Sequence, residues 1–140
     1  MNTNTLPATI LAAKEKFELA CKDASALQIV SNFGAAFTAV NVIALLREAM
    51  TDEVMDKVFM PLMNTKIGFL TDRNRACKKR QGAPRFRFTT RDIVRDCIID
   101  AVTIGLLPTG NQFNIIAERM YPTKEGYTSL LRKLGVKLLH

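Results

Sequence analysis

From Ala24 to Leu46 the chain carries no charged residue. A run of that length is withdrawn from water, either across a bilayer or into a folded core. Gln28, Ser31, Asn32, Thr38 and Asn41 interrupt it. Their spacings of three, four and seven put most of them on one side of a helix. Leu27, Val30, Phe33, Phe37, Val40 and Ile43 spread over the others. The pattern favours a buried helix of a folded domain over a membrane span. Gly34, Ala35 and Ala36 would let another helix approach closely, from the same domain or from a second subunit.

The surrounding sequence supplies further helices. Pro7 suits a first helical turn, and Leu11, Lys14, Phe17, Glu18 and Cys21 follow at helical spacing, which predicts a helix over 7–22. The apolar helix is expected over 25–50, capped by Asp23 or Ser25. Thr51 caps a third, with Asp52 and Glu53 in its first turn, and Pro61 ends or kinks it. From Asn64 to Phe88 no helical period is sustained, and a connection that long is usually functional or disordered. Arg85-Phe86-Arg87-Phe88 alternates with period two and reads as a short strand. Thr89 with Asp92 resembles a capping box for the next helix. Ile93, Val94, Cys97, Ile98, Ala101, Val102 and Ile104 form its apolar face, and Gly105 suits its left-handed cap. A strand over 112–120, half of a hairpin or meander with Tyr121 and its neighbours, and a final helix over 124–134, capped by Thr123 and closed by Gly135, complete the reading. The 140 residues fit one domain: a helical region over 1–63, a basic loop over 64–88, then helix, strands and a last helix over 89–140. The fold class is α+β, with N-terminal helices followed by a small antiparallel sheet packed on helices.

Charge is distributed unevenly. The net +7 comes from one segment: residues 66–95 hold ten Lys or Arg against Asp72 and Asp92, while 1–65 is slightly acidic and 96–140 near neutral. Concentrated positive charge of this kind attracts a polyanion; a solvated basic loop is the plainer alternative. Catalytic chemistry has little to work with. The one histidine is His140, and neither a nucleophile elbow nor a phosphate-binding loop occurs. Cys21, Cys77 and Cys97 are too far apart for a zinc site and odd in number, which fits reduced thiols in a cytosolic protein. Cys97 reads as core. Cys77, among Arg75, Lys78 and Lys79, has the setting of a lowered pKa, although an incidental thiol is the simpler account. Asp92, Asp96 and Asp100 have helical spacing for a metal, but suit a solvated face beside Arg91 and Arg95. The first residues are uncharged up to Lys14, unlike a secretory signal.

The stretch Gly105–Gly135 narrows the choice. It places Gly105, Leu106 and Pro108 at a helix end, Phe113, Ile115 and Tyr121 in an extended segment, then Gly126, Tyr127, Leu130, Leu131, Arg132 and Lys133. This order resembles the phage single-strand annealing proteins of the RecT/Redβ type, and Pro61–Asp72 is similar to a subgroup of them. The resemblance implies a DNA-binding protein, not an enzyme, that promotes annealing of complementary strands in phage or prophage recombination without ATP or another cofactor. It also implies rings or filaments of many copies in the bacterial cytoplasm, with no membrane. A phage exonuclease or a host single-strand binding protein is a further expected partner. Members usually continue with more strands, so these residues are expected to be the N-terminal part of a longer protein.

Single strands are held by cations along the phosphates and aromatic platforms for the bases. The candidates are Lys66, Arg73, Arg75, Lys78, Lys79, Arg80, Arg85, Arg87, Arg91 and Arg95 as one bank of a groove. Lys124, Arg132 and Lys133 form a second. Tyr121, at a strand end, is the best aromatic candidate. Phe86, Phe88 and Tyr127 read more readily as core, and Phe113 and Ile115 as core outright. The same cations suit a general nucleic-acid-binding or regulatory module, and the apolar helix suits a phage interaction protein.

Overall fold

The computed structural model describes residues 7–27, 33–72 and 89–133. The first layer is helical. α1 (Ala8–Leu27) and α2 (Phe33–Ala49) run antiparallel, tied by Lys16 to Glu48 at 2.7 Å. Ile10, Ala13, Ala20 and Ala24 are the buried face of α1, with Phe17 and Cys21 packed beside them. These positions recur every three or four residues, and the alanines permit close approach to α2. The expected cap residues Asp23 and Ser25 lie inside α1, so the first helix runs on past Lys22. The second begins later than expected, and the junction at 28–32 lies outside the described residues.

On α2 only one stripe is buried: Val42, Leu46 and Ala49. The expectation of a helix buried on most sides is corrected. Phe33 is 92%, Phe37 74% and Val40 65% exposed. No single described helix is long and apolar enough to cross a membrane; α2 and the turn after it pass that test only together, across a 74° bend.

α3 (Asp52–Val54) starts at Thr51, whose Oγ1 accepts from the Val54 amide at 3.3 Å, as its residue type predicts. The chain then widens into a π turn, Met55–Phe59, and tightens into a 3-10 turn, Met60–Leu62. Pro61 lacks an N–H, and its ring crowds the carbonyl four residues back, which accounts for the broken helical register. Phe59 seats edge-on against Phe17, ring centres 5.4 Å apart.

Residues 62–72 are not the open loop that their aperiodic sequence suggests. Asn64 takes a left-handed φ of 63°. Its Oδ1 accepts from the Thr71 amide at 2.9 Å and from Thr71 Oγ1 at 3.1 Å. Gly68 lies so close to Leu62 that any Cβ would overlap the Leu62 carbonyl oxygen. This coil delivers β1 (Leu70–Thr71) to the sheet. Phe69 is fully buried and stacks on Phe113 at 5.3 Å.

α4 (Arg91–Thr103) is capped by Thr90, one residue later than expected: Thr90 Oγ1 accepts from the Ile93 amide at 3.4 Å. Val94, Cys97, Ile98, Ala101 and Val102 are buried as predicted, Ile99 joins them, and Ile104 is partly exposed. Its C-terminus is a Schellman closure: Gly105 has φ 96°, Leu106 N–H donates to Ala101 O at 2.8 Å, and Gly105 N–H to Val102 O at 2.9 Å. Leu106 is wholly buried behind it.

The expected hairpin is present, but it turns earlier, inside the strand expected over 112–120: β2 is Phe113–Ile116 and β3 is Arg119–Pro122. Ala117 and Glu118 turn it with φ of 51° and 67°, the two positive values of a type I′ turn. β1 pairs with β2 in parallel and β2 with β3 antiparallel. The fold is α+β, as expected, but its small sheet is mixed rather than antiparallel. The inner face, with Phe113 and Ile115, packs on α4. α5 (Lys124–Lys133) follows at once, capped by Thr123 Oγ1 accepting from the Gly126 amide at 3.0 Å.

Gly126 is buried against the backbone of Gln112, where a Cβ would overlap the Gln112 carbonyl oxygen. Gly126→Ala must push α5 off the hairpin. It is expected to cost about 1–3 kcal/mol, read as a lower urea midpoint with an unchanged m-value.

Candidate nucleic-acid interface

The described cations fall into two groups. On the helical layer, acids face most of them. Lys14, Lys57 and Arg47 lie within 4 Å of Glu18, Glu53 and Asp96 respectively; Lys22 is the exception. Arg91 and Arg95, expected on a DNA-facing stripe, point to α3. Arg91 meets Asp56 at 2.8 Å and Asp52 at 3.4 Å. Arg95, only 16% exposed, donates to the Met50 carbonyl at 2.9 Å and reaches Asp52 and Asp92, both at 2.7 Å. These two guanidiniums brace the start of α4 against the start of α3. Their role is first of all structural, because three carboxylates already neutralise them.

The second group has no such partners. The side chains of Lys66, Arg119, Lys124 and Arg132 make no hydrogen bond or ion pair among the described residues. Three of them share a neighbourhood. The loop holding Lys66 is hydrogen-bonded to the turn before β2, with Gly110 N–H to Ile67 O at 3.0 Å and Asn111 N–H to Gly68 O at 2.9 Å. Gly110 in turn lines a cleft of about 400 Å³ with Gln112, Lys124, Glu125, Thr128, Ser129 and Arg132. Lys124, Thr128 and Arg132 are each four apart, so they stand in one row along α5. The cleft is mainly polar and holds one acid, Glu125. An extended anion laid along this row meets two cations and the Thr128 hydroxyl, with Ser129 beside it in the cleft. Arg119 was not anticipated; its place on an exposed strand opposite Ile116 is the signal that was available.

Tyr121 lies on the outward face of β3, 47% exposed. The register sets Leu70, Asn114 and Tyr121 side by side across the three strands, with Ile116 and Arg119 in the next row. Tyr127, expected in the core, is 57% exposed on α5, because Gly126 rather than Tyr127 faces the hairpin. Lys133 ends α5. Arg73, Arg75, Lys78, Lys79, Arg80, Arg85 and Arg87, with Phe86, Phe88 and Cys77, lie outside the described residues. Asp72, the last described residue before them, donates its amide N–H to Ile115 O at 3.0 Å and accepts from the Ala117 amide at Oδ2.

No other chemistry gathers. No group of three His, Cys, Asp or Glu among the described residues is placed to hold a metal. Burial pushes the Cys97 thiol up to about 11, helped by Asp100, Asp96 and Glu118; at neutral pH it is an unreactive core thiol. No protein-family model, curated protein or solved structure matches the chain.

The two classes of cation are separable by mutation. Arg95→Met removes charged hydrogen bonds at a half-buried site and is expected to lower stability by about 2 kcal/mol. Arg132→Ala, at an exposed and unpaired site, should stay within about 0.5 kcal/mol of the parent. Urea denaturation of both variants checks the contrast.

Proposed function

We propose that this chain binds single-stranded DNA and promotes ATP-independent annealing of complementary strands in phage or prophage recombination. One observation carries the reading: of the described cations left without acids, all but Lys22 (Lys66, Arg119, Lys124 and Arg132) lie on the sheet and α5 side. In the sequence, the seven Lys and Arg of residues 73–88, which include no acid, follow Asp72, itself hydrogen-bonded to the hairpin on that side. Cations without an acid partner are available to neutralise phosphates, and the counterions that the nucleic acid then releases drive binding. No base-reading motif is seen in the sequence, which suits a protein that holds backbones and leaves pairing to the strands. The resemblance of Gly105–Gly135 to RecT/Redβ-type proteins supports the same activity, exerted in the bacterial cytoplasm without a cofactor. Arg91 and Arg95 move to a supporting role, since a strand would have to displace Asp52, Asp56 and Asp92 to reach them.

A general nucleic-acid module shares the basic segment but is indifferent to strandedness. Annealing of two labelled complementary oligonucleotides without ATP, followed by fluorescence across a salt series, separates the readings. Acceleration above the spontaneous rate, lost as salt rises, is the expected result. Equal affinity for duplex and single strand, without acceleration, points to the general module. If about five phosphates are neutralised, log K falls against log salt with a slope near −3.5, and neutralising Lys78, Lys79 and Arg80 together makes that slope shallower by about 2.

The face of α2 supports a second element of the proposal, self-association. Phe33, Phe37 and Val40 sit at spacings of four and three on one exposed side, and large apolar patches on a folded surface mark contacts. In the proposed assembly this stripe meets another copy. Phe33→Asp with Phe37→Asp is expected to shift sedimentation toward the monomer while leaving the far-ultraviolet circular dichroism unchanged.

A further inference from the structure

The outward face of the sheet has the make-up of a stacking surface. Strand alternation sends Phe113 and Ile115 inward to full burial and leaves Asn114 and Ile116 on the other side. The same alternation on β3 turns Arg119 and Tyr121 outward. Through the register, Leu70, Asn114 and Tyr121 form one cross-strand row, and Ile116 and Arg119 the next. Leu70 is 38% and Ile116 44% exposed. An antiparallel or mixed sheet with a solvated outer face normally carries polar residues there; here apolar side chains and a tyrosine stand on it. Asn114 Oδ1, in the middle of the row, is buried and takes no hydrogen bond among the described residues.

Resting on the single-strand reading, we infer that this face is where the bases lie: Tyr121 stacks on a base, Leu70 and Ile116 widen the apolar floor, and Arg119 holds the adjoining phosphate. Two arguments select a nucleic-acid strand over a protein as the occupant. Arg119, whose side chain makes no ion pair among the described residues, brings a cation to the border of the face, beside Glu118 and Asp72. A tyrosine flanked by aliphatic side chains and an arginine offers base stacking and phosphate contact together, the two components of sequence-tolerant single-strand binding. A stacked base is contacted through its π face. Its Watson–Crick edge stays open, which is the condition for pairing with an incoming strand.

The test compares a labelled oligodeoxythymidine with a strand of the same length in which every second base is replaced by an abasic tetrahydrofuran, by fluorescence anisotropy. For the parent protein, removing bases weakens binding. Tyr121→Ala is expected to weaken binding of the intact strand by about tenfold and leave the abasic strand unaffected; Tyr121→Phe, which keeps the ring, binds as the parent does. Arg119→Ala weakens both strands and reduces the salt slope by about 0.7. Tyr121 is half exposed and makes no hydrogen bond among the described residues, so these variants keep the fold, which circular dichroism verifies. If the parent binds the intact strand and Tyr121→Ala binds it equally well, the stacking face is wrong while the single-strand reading stands. If the parent binds neither strand, the single-strand reading itself is wrong and the face falls with it.

Discussion

Two backbone hydrogen bonds, from Gly110 N–H to Ile67 O and from Asn111 N–H to Gly68 O, join parts of the chain more than forty residues apart. Much else hangs on that junction. It brings β1 alongside β2 and thereby stacks Phe69 on Phe113. It sets the Lys66 loop beside the cleft that α5 forms with Gln112. Backbone pairing at this distance needs bare backbone on both sides, and glycines provide it. Gly68 permits the coil to close on Leu62, Gly110 adopts φ 67°, and Gly126 lets α5 rest on Gln112. A Cβ at Gly68 or Gly126 would overlap backbone, and a side chain at Gly110 would be strained by its positive φ, so the site geometry depends on atoms that are not there.

The pairing of charges follows from the same architecture. α3 and α4 start side by side with acids in both first turns, and Arg91 and Arg95 fill the space between them. Acids at helix N-termini are favoured by the helix dipole, and once placed they capture the nearest guanidiniums. The sheet and α5 have fewer acids: Glu118 lies in the hairpin turn and Glu125 at the start of α5. Cations there stay available. Sorting the basic residues by what they face is therefore more informative than their number, because a surface arginine already bound to two carboxylates adds little to the field felt by a phosphate.

Parts of this were readable from residues alone, and the parts share a property. Thr51, Gly105 and Thr123 act within three or four residues of themselves, so their chemistry is written locally. The apolar face of α4 is equally local, because its period is set by the helix. What escaped depends on distant partners or on missing cues. Asp52 is 43 residues from Arg95, and nothing nearby in the chain announces the pair. The turn at Ala117-Glu118 has neither Gly nor Asn, the residues that usually mark a type I′ turn, so the first strand of the hairpin reads as running on to Met120. On α2, period alone identifies a helix but not which of two apolar sides turns inward. Val42, Leu46 and Ala49 do so because the small residues of α1 meet them, whereas Phe33 and Phe37 are left outside.

The outward placement of Phe33, Phe37, Tyr121 and Tyr127 sets a condition on any function. Exposed aromatic side chains gain nothing from folding and raise the risk of aggregation, so a fold that keeps several of them outside the core uses their surfaces for contact. They separate by environment. Phe33 and Phe37 stand on a helix face without a neighbouring charge, which favours an apolar partner such as another copy. Tyr121 and Tyr127 stand among Arg119, Lys124 and Arg132, where an apolar partner would have to desolvate cations and a nucleic-acid strand would neutralise them. The two ends of the molecule thus suit different partners at once. An annealing protein has that requirement: it must hold a strand along one surface while adjacent copies, gathered through another, keep the bound strand extended for its complement.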